Sequence, residues 1–345
     1  MRTWLKRGVL GLVALIGVTV AGGAAFEALS RAAAAGAYPA PGRLVAIGGG
    51  RRLQLDCRGT GAPVVVFESG LDTLGSLSWT RVQDEIAKTT RACAYSRAGI
   101  MWSDPARGPF DVRREAQDLH EALAAAGEKA PFVMVGHSLG GPYLLAYTGE
   151  YGSDVAGLVF VDASHPDQVA RLRNAIGRDI DPGTAQIKAA DTLAWTGAVR
   201  LFAPRASIAP EHAPARTARV AAAWLPQSIH GAVRESDSLG QTLAVAGRYR
   251  RLGERPLVVL TRTASAPPEA LKAIGLTPAD GRRLDAEWRA MQDDEATWST
   301  RSRHEFVPDA SHYIQFDQPQ AVIAAVRDVV GQVRADASRG APTAR

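Results

Sequence analysis

At 345 residues, 46% hydrophobic and 22% charged, the chain has enough apolar content for one large domain with an insertion, and it is not of the disordered class. Its formal charge of +5 comes from arginines scattered along the sequence rather than from a basic block. With no RNA- or DNA-binding motif in view, nucleic acid is not an expected partner.

Arg2, Lys6 and Arg7 precede a stretch, residues 8–26, that carries no charge. A basic end followed by a long apolar run is the pattern of an export signal or a membrane anchor, so residues 1–30 are expected to be one or the other. The run is just long enough to span a bilayer, while the small residues Ala21-Gly22-Gly23-Ala24-Ala25 offer a cleavage site, and the sequence leaves both readings open. In either case the remainder crosses the cytoplasmic membrane, to be anchored there or released as a periplasmic or secreted protein, with residues 8–26 as its membrane attachment. Residues 31–42, rich in Ala, Pro and Gly, read as a linker.

Leu44-Val45-Ala46-Ile47 and Arg52-Leu53-Gln54-Leu55-Asp56-Cys57 read as two antiparallel strands around a triple-glycine turn. Pro63-Val64-Val65-Val66-Phe67 is apolar and β-branched, as a strand covered on both faces requires. Trp79, Val82 and Ile86 share a face of a helix predicted over residues 78–90, and Ala92-Cys93-Ala94-Tyr95 makes the next strand. A helix with Val112, Ala116, Leu119 and Leu123 in one stripe follows.

The stretch Val133-Met134-Val135-Gly136-His137-Ser138-Leu139-Gly140-Gly141 organises the rest. An apolar strand ends at Gly136 and a helix begins at Pro142, so Ser138 must occupy a sharp strand-to-helix turn, the Gly-x-Ser-x-Gly nucleophile elbow. The flanking glycines suit a turn with no room for Cβ atoms. A serine at a helix N-terminus has the following N–H, that of Leu139, aimed where an oxyanion would form. His137 is read as structural.

After the elbow come a buried strand, residues 155–161, and the string Asp162-Ala163-Ser164-His165. Residues 166–254 turn helical and Ala/Arg-rich, with Trp195, Phe202 and Trp224 interspersed, and read as a helical cap. Residues 257–261 resume the sheet, a polar helix is expected around residues 284–298, and Arg303-His304-Glu305-Phe306-Val307 is the last strand. The terminal helix has Val322, Val326, Val329 and Val333 on one face with Asp317 expected as its cap, and residues 336–345 are expected to be a disordered tail.

These residues resemble the α/β-hydrolase fold family, in its serine esterase, lipase and perhydrolase-like branch, from about residue 42 to residue 333. The resemblance implies a mostly parallel, eight-stranded sheet with flanking helices, a core of residues 43–165 and 255–335, and the cap inserted after the sixth strand. It also implies that the loop after the third strand supplies a second oxyanion donor, here the N–H of Leu71, with Ser69-Gly70 standing where a His-Gly pair is common. In such a sheet the second and fourth strands are neighbours, so Cys57 and Cys93 are expected to form a disulfide once exported. Ser96-Arg97-Ala98-Gly99-Ile100-Met101 is similar to the family's Asp-Arg-x-Gly-x-Gly loop and is read as scaffold.

The family's chain order is Ser, acid, His, which makes His312, in the loop after the last strand, the expected base, although Asp-Ala-Ser-His recurs at 162–165 and 309–312. The usual acid position is vacant, since Arg262-Thr263-Ala264-Ser265 holds no carboxylate. One branch of the fold keeps its acid one strand earlier, where Asp162 stands; Asp280, Asp285, Asp293 and Asp294 are the alternatives. The implied activity is ester hydrolysis through an acyl-enzyme on a small-molecule ester, without metal or organic cofactor, since no His-x-x-x-His or Cys-x-x-Cys spacing occurs. Perhydrolase, lactonase, thioesterase and amidase chemistry use the same residues, and a non-catalytic binding protein is the reading from another class. Epoxide hydrolases and haloalkane dehalogenases of this fold attack with a carboxylate at the elbow, which Ser138 argues against. The sequence leaves the oligomeric state open.

Overall fold

The computed structural model describes residues 2–180, 184–203 and 209–340. Eight strands, β1 (Arg43–Ile47), β2 (Arg51–Arg58), β3 (Val64–Glu68), β4 (Ala92–Ser96), β5 (Phe132–His137), β6 (Val155–Val161), β7 (Leu257–Arg262) and β8 (Ser302–Val307), form one sheet in the order β1-β2-β4-β3-β5-β6-β7-β8. The β1–β2 and β2–β4 pairs are antiparallel and all others parallel. The helices are α1 (Arg2–Ala37), α2 (Gln83–Ala87), α3 (Val112–Ala126), α4 (Gly140–Glu150), α5 (Gln168–Ile176), α6 (Thr184–Leu193), α7 (Ala198–Phe202), α8 (Ala215–Asp237), α9 (Leu239–Ala246), α10 (Pro268–Ala273), α11 (Pro278–Glu295), α12 (Ile314–Asp317) and α13 (Pro319–Gly340).

Strand residues alternate between two cores because successive side chains leave opposite faces of the sheet. Val64, Val66, Met134 and Phe160 pack with Leu119, Leu123, Leu144 and Leu145 of α3 and α4. Val65, Phe67, Val133, Val135 and Val159 pack on the other side against Trp79, Ile86 and the α13 stripe Val322, Val326, Val329 and Val333. Each of these buried side chains contributes about 1.5–3 kcal/mol relative to exposure. α3 begins at Asp111, whose side chain accepts from Arg113 N–H at 2.9 Å, and stops at Gly127 in the left-handed region. Cys57 pairs with Cys93 across β2 and β4, and the two are joined by a disulfide.

Between β6 and β7 the chain leaves the sheet for α5 to α9, the helical insertion expected after the sixth strand; residues 181–183 and 204–208 of the expected cap lie outside the described residues. Four local expectations are corrected. The linker predicted at 31–42 is helical through Ala37, because alanine is the best helix former and α1 docks on the cap through Arg200 and Glu27. Of the tail predicted disordered at 336–345, residues 336–340 continue α13, with Asp336 held by Arg301 at 2.6 Å; residues 341–345 lie outside the described residues. The helix predicted over 78–90 shrinks to α2 and a preceding 3₁₀ turn at Gly75–Trp79, although Trp79, Val82 and Ile86 are buried together. Asp317 does not cap α13: its carboxylate accepts from Ser311 N–H and faces His212 Nδ1, both at 2.7 Å, and so braces the loop that carries His312.

Candidate active site

β5 delivers Ser138 to the C-terminal edge of the sheet, and the following turn gives it φ +52°, a left-handed conformation that an L-residue adopts only when its surroundings impose it. The imposition is visible in the glycines. A Cβ on Gly136 would lie 2.8 Å from the Gly140 carbonyl carbon, and one on Gly140 would lie 2.6 Å from the Glu68 carbonyl oxygen. Ser138 N–H donates to Val161 O at 3.2 Å, and its carbonyl accepts from Gly141 and Ser164 N–H at 3.0 and 2.8 Å. The elbow is thus tied to β6 on one side and to its own helix on the other.

The loop between β8 and α12 brings His312 over the elbow. Its Nε2 lies 2.8 Å from Ser138 Oγ and its Nδ1 lies 2.6 Å from Asp162 Oδ2. Asp162 sits just past β6, fully buried, with φ +46°. Its Oδ1 accepts from Trp288 Nε1–H at 2.9 Å and from Arg262 N–H at 3.1 Å, and Arg262 Nε lies 3.2 Å from Oδ2. Burial alone would raise the Asp162 carboxyl, yet the bond to His312, the charge of Arg262 and the Trp288 donor more than offset it and hold the group below the ordinary carboxylate range. The other carboxylates considered for this place are engaged elsewhere. Asp280 closes a capping box with Thr277, Asp285 lies 3.2 Å from Arg262 Nη1, Asp293 faces His304 Nδ1 at 3.0 Å, and Asp294 faces His165 Nε2 at 2.8 Å.

On the opposite side of Ser138, the loop after β3 approaches so closely that a Cβ on Gly70 would lie 2.8 Å from Ser138 Cβ. The Leu71 N–H follows in that loop and the Leu139 N–H follows the serine; among the described residues neither donates a hydrogen bond. Arg97 fixes the loop. Fully buried, it donates to the carbonyls of Ser69 and Gly70 at 2.7 and 2.6 Å and pairs with Glu68 at 2.6 Å and with Glu235 of α8 at 2.8 Å. Burial pushes the Glu68 carboxyl up to about 7, despite Arg97 and the Tyr95 hydroxyl that donates to it.

Arg97 was expected to be scaffold, and this is the form the scaffold takes: one guanidinium joins the cap to the loop beside Ser138. Sequence reasoning missed Arg262 and Trp288 around Asp162. A signal for Arg262 existed, because it fills the very segment where the usual carboxylate is vacant, on the strand adjacent to that of Asp162. His137 is buried, with Nε2–H donating to the His312 carbonyl at 2.8 Å; burial, with the neighbouring His312, drops its pKa to about 3, so it is a neutral strut.

A cavity of about 950 Å³ opens between the Leu71 loop and the cap, with Leu71, Leu74 and Tyr313 on the sheet side and Val199, Phe202, Leu225, Ile229 and Val233 on the cap side. Its size lies at the upper end of the roughly 300–1,000 Å³ of ordinary ligand pockets. Phe202, expected among the lid aromatics, is a wall residue of this cavity, whereas Trp224 packs against Trp102.

Residues 61–325 match the model of the family described as the alpha/beta hydrolase family. Among solved structures, the chain is similar to a thermophilic esterase from Thermogutta terrifontis (22% identity, 84% of this chain and 97% of that one, TM-score 0.55). It is also similar to a putative epoxide hydrolase from Pseudomonas aeruginosa (17%, 86% and 97%, TM-score 0.59) and to a putative ancestral haloalkane dehalogenase (16%, 85% and 99%, TM-score 0.60). At these identities the likeness shows the fold alone. Curated relatives include a probable transporter, efuK, from Hormonema carpetanum, 38% identical over 31% of this chain, and an uncharacterized vacuolar membrane protein from Saccharomyces cerevisiae, 32% identical over 35% of it. The chain spans less than a fifth of the length of these two relatives, 16% and 19%.

Proposed function

Because the chain belongs to the alpha/beta hydrolase family, we propose that it is a serine hydrolase cleaving carboxylic esters through an acyl-enzyme. The observation that carries this reading is the continuous line from Ser138 Oγ through His312 to Asp162, at 2.8 and 2.6 Å. In the proposed reaction His312 Nε2 takes the Ser138 proton as the oxygen attacks the ester carbonyl, while Asp162 stabilises the imidazolium through Nδ1–H. The N–H groups of Leu71 and Leu139 receive the oxyanion; one such donor is typically worth about 2.7–4 kcal/mol in the transition state. The alcohol departs with the proton from His312, and water then attacks the acyl-serine by the same route in reverse.

Serine at the elbow separates this chemistry from that of the epoxide hydrolase and dehalogenase neighbours, for which a carboxylate nucleophile is expected. Perhydrolase, lactonase, thioesterase and amidase reactions share the acyl-enzyme and differ in the second nucleophile or the leaving group, and the apolar cavity favours an ester of an apolar acid. The basic end of α1 ahead of its apolar stretch supports an export signal or anchor, with the catalytic body outside the cytoplasm.

The test is hydrolysis of p-nitrophenyl esters from acetyl to palmitoyl, with Ser138→Ala purified in parallel. Turnover should fall by about 10⁴-fold or more in the variant, as loss of a triad serine does. A variant that retains wild-type turnover would remove the proposal.

A further inference from the structure

α1 has two parts with different surroundings. It is long and apolar enough to cross a membrane, and its most apolar stretch is wholly unburied. Contact with the body begins at Gly23, where a Cβ would overlap the Thr196 carbonyl, and a Cβ on Gly197 would lie 2.9 Å from the Phe26 ring and 3.0 Å from the Gly23 carbonyl. Glycine on both partners is what lets the two backbones touch. Beyond it, Glu27 takes a two-pronged pair from Arg200 at 2.7 and 2.8 Å, and Arg31 donates to Gln227 at 2.6 Å. The apolar stretch therefore leaves the body at one edge of the cap, the turn between α6 and α7.

That edge is itself apolar. Outside α1, five of the nine exposed large apolar side chains among the described residues lie within residues 187–202: Ile187, Leu193, Trp195, Leu201 and Phe202. Trp195, 59% exposed, stands in the turn that touches Gly23, at the level where a spanning α1 would enter the bilayer and where tryptophan is favoured. The same segment walls the cavity, through Ile187, Leu193, Val199 and Phe202, and the far wall includes Leu71 and Tyr313, the latter next to His312 in the chain; Ser138 and His312 are not themselves wall residues. Phe202, 80% exposed and yet a wall residue, marks the mouth.

Resting on the serine hydrolase reading, we propose that the edge formed by residues 187–202 lies in the bilayer interface beside a retained α1, and that the substrate is a long-chain acyl ester drawn directly from the membrane. An acyl chain entering past Phe202 passes from lipid into the cavity, with its ester group directed toward the wall formed by Leu71 and Tyr313, which lie in the loops of the oxyanion donor and of His312. Water supplies the hydroxyl of the released fatty acid, and the alcohol leaves with the proton. An apolar edge continuous with a spanning helix has the bilayer as its neighbour, which is why lipid rather than a partner protein is the occupant.

The test uses the full chain reconstituted in phosphatidylcholine vesicles, with p-nitrophenyl palmitate dissolved in the vesicles and p-nitrophenyl acetate in the water. Trp195→Gln/Leu201→Gln, at two exposed positions that do not line the cavity, should lose about tenfold on the palmitate while staying within about twofold on the acetate, because only insertion at the interface is weakened. Equal palmitate rates in variant and wild type would overturn the proposal. So would a wild type that cleaves acetate and leaves the vesicle-borne palmitate intact, an outcome under which the serine hydrolase reading still stands. A wild type inert on both esters and unlabelled by a fluorophosphonate would remove both readings together.

Discussion

The floor and the roof of the cleft are built by different physics. On the floor, Ser138, His312 and Asp162 are held by directed hydrogen bonds and by backbone contacts so close that only glycine fits at Gly70, Gly136 and Gly140. Over it, α6 to α8 present apolar side chains to a cavity. α8 is fastened to the floor by the buried ion-pair cluster Glu68–Arg97–Glu235, with the Tyr143 hydroxyl donating to Glu235 at 3.0 Å, and by Ser228 Oγ accepting from Met101 N–H at 2.9 Å. Under the proposed function the floor would specify which bond can be broken, and the roof, with its largely apolar cavity wall, which molecule brings it. On that reading, chemistry should persist while the roof changes and end with a change in the floor.

The largest expected effect lies on the floor. Asp162→Asn keeps the shape but presents an amide to His312 Nδ1, favouring the wrong tautomer, and kcat for p-nitrophenyl esters should drop about 10⁴-fold with little change in folding. Near-normal turnover would show that another carboxylate serves His312. Next comes the joint between the two regions. Arg97→Met strands Glu68 and Glu235 in the interior and should cost about 3–5 kcal/mol in a urea titration, whereas Glu235→Gln, which keeps a hydrogen-bonding partner for Arg97, should cost clearly less. Equal effects of the two would mean that the charges of the joint do not matter.

The most gradual effect, small over any one pH unit, is a pH dependence within the floor. His137 titrates near 3 in the folded protein against an ordinary 6.5, so the unfolded chain binds its proton first and stability is lost as the pH falls from 6.5 towards 3. The loss is about 1.4 kcal/mol per pH unit for one proton. Glu68, raised to about 7, has the opposite sign, favouring the fold at low pH and losing that contribution as pH rises from 4.5 towards 7. His137→Gln can still donate to the His312 carbonyl and should flatten the acid limb of the stability profile; an unchanged limb would assign it to other groups.

The same contrast governs what could be read from the sequence. The inner strands were legible because a strand covered on both faces must be a largely apolar run such as Val64-Val65-Val66-Phe67, while β1, β2 and β8 were legible from alternation and position. The sharp turn at Ser138 was legible because it demands Gly136 and Gly140. The neighbours of Asp162 were not, since Arg262 and Trp288 lie 100 and 126 residues away and meet it only through sheet order and the fold of α11. α1 was misjudged where local composition and tertiary contact disagree: Ala32-Ala33-Ala34-Ala35 suits a linker as well as a helix, and contacts to Arg200 and Gln227 decide in favour of the helix. Cavity shape was illegible throughout, because it depends on which apolar side chains of α6 to α8 face inward together.

The central claim is that Ser138 is a nucleophile activated by His312, and covalent labelling reads it most directly. After incubation with a fluorophosphonate, peptide mass spectrometry should find a single adduct, on Ser138, in the wild type, and none in His312→Ala over the same time. An unlabelled wild type, or an adduct formed equally fast without His312, would contradict the account.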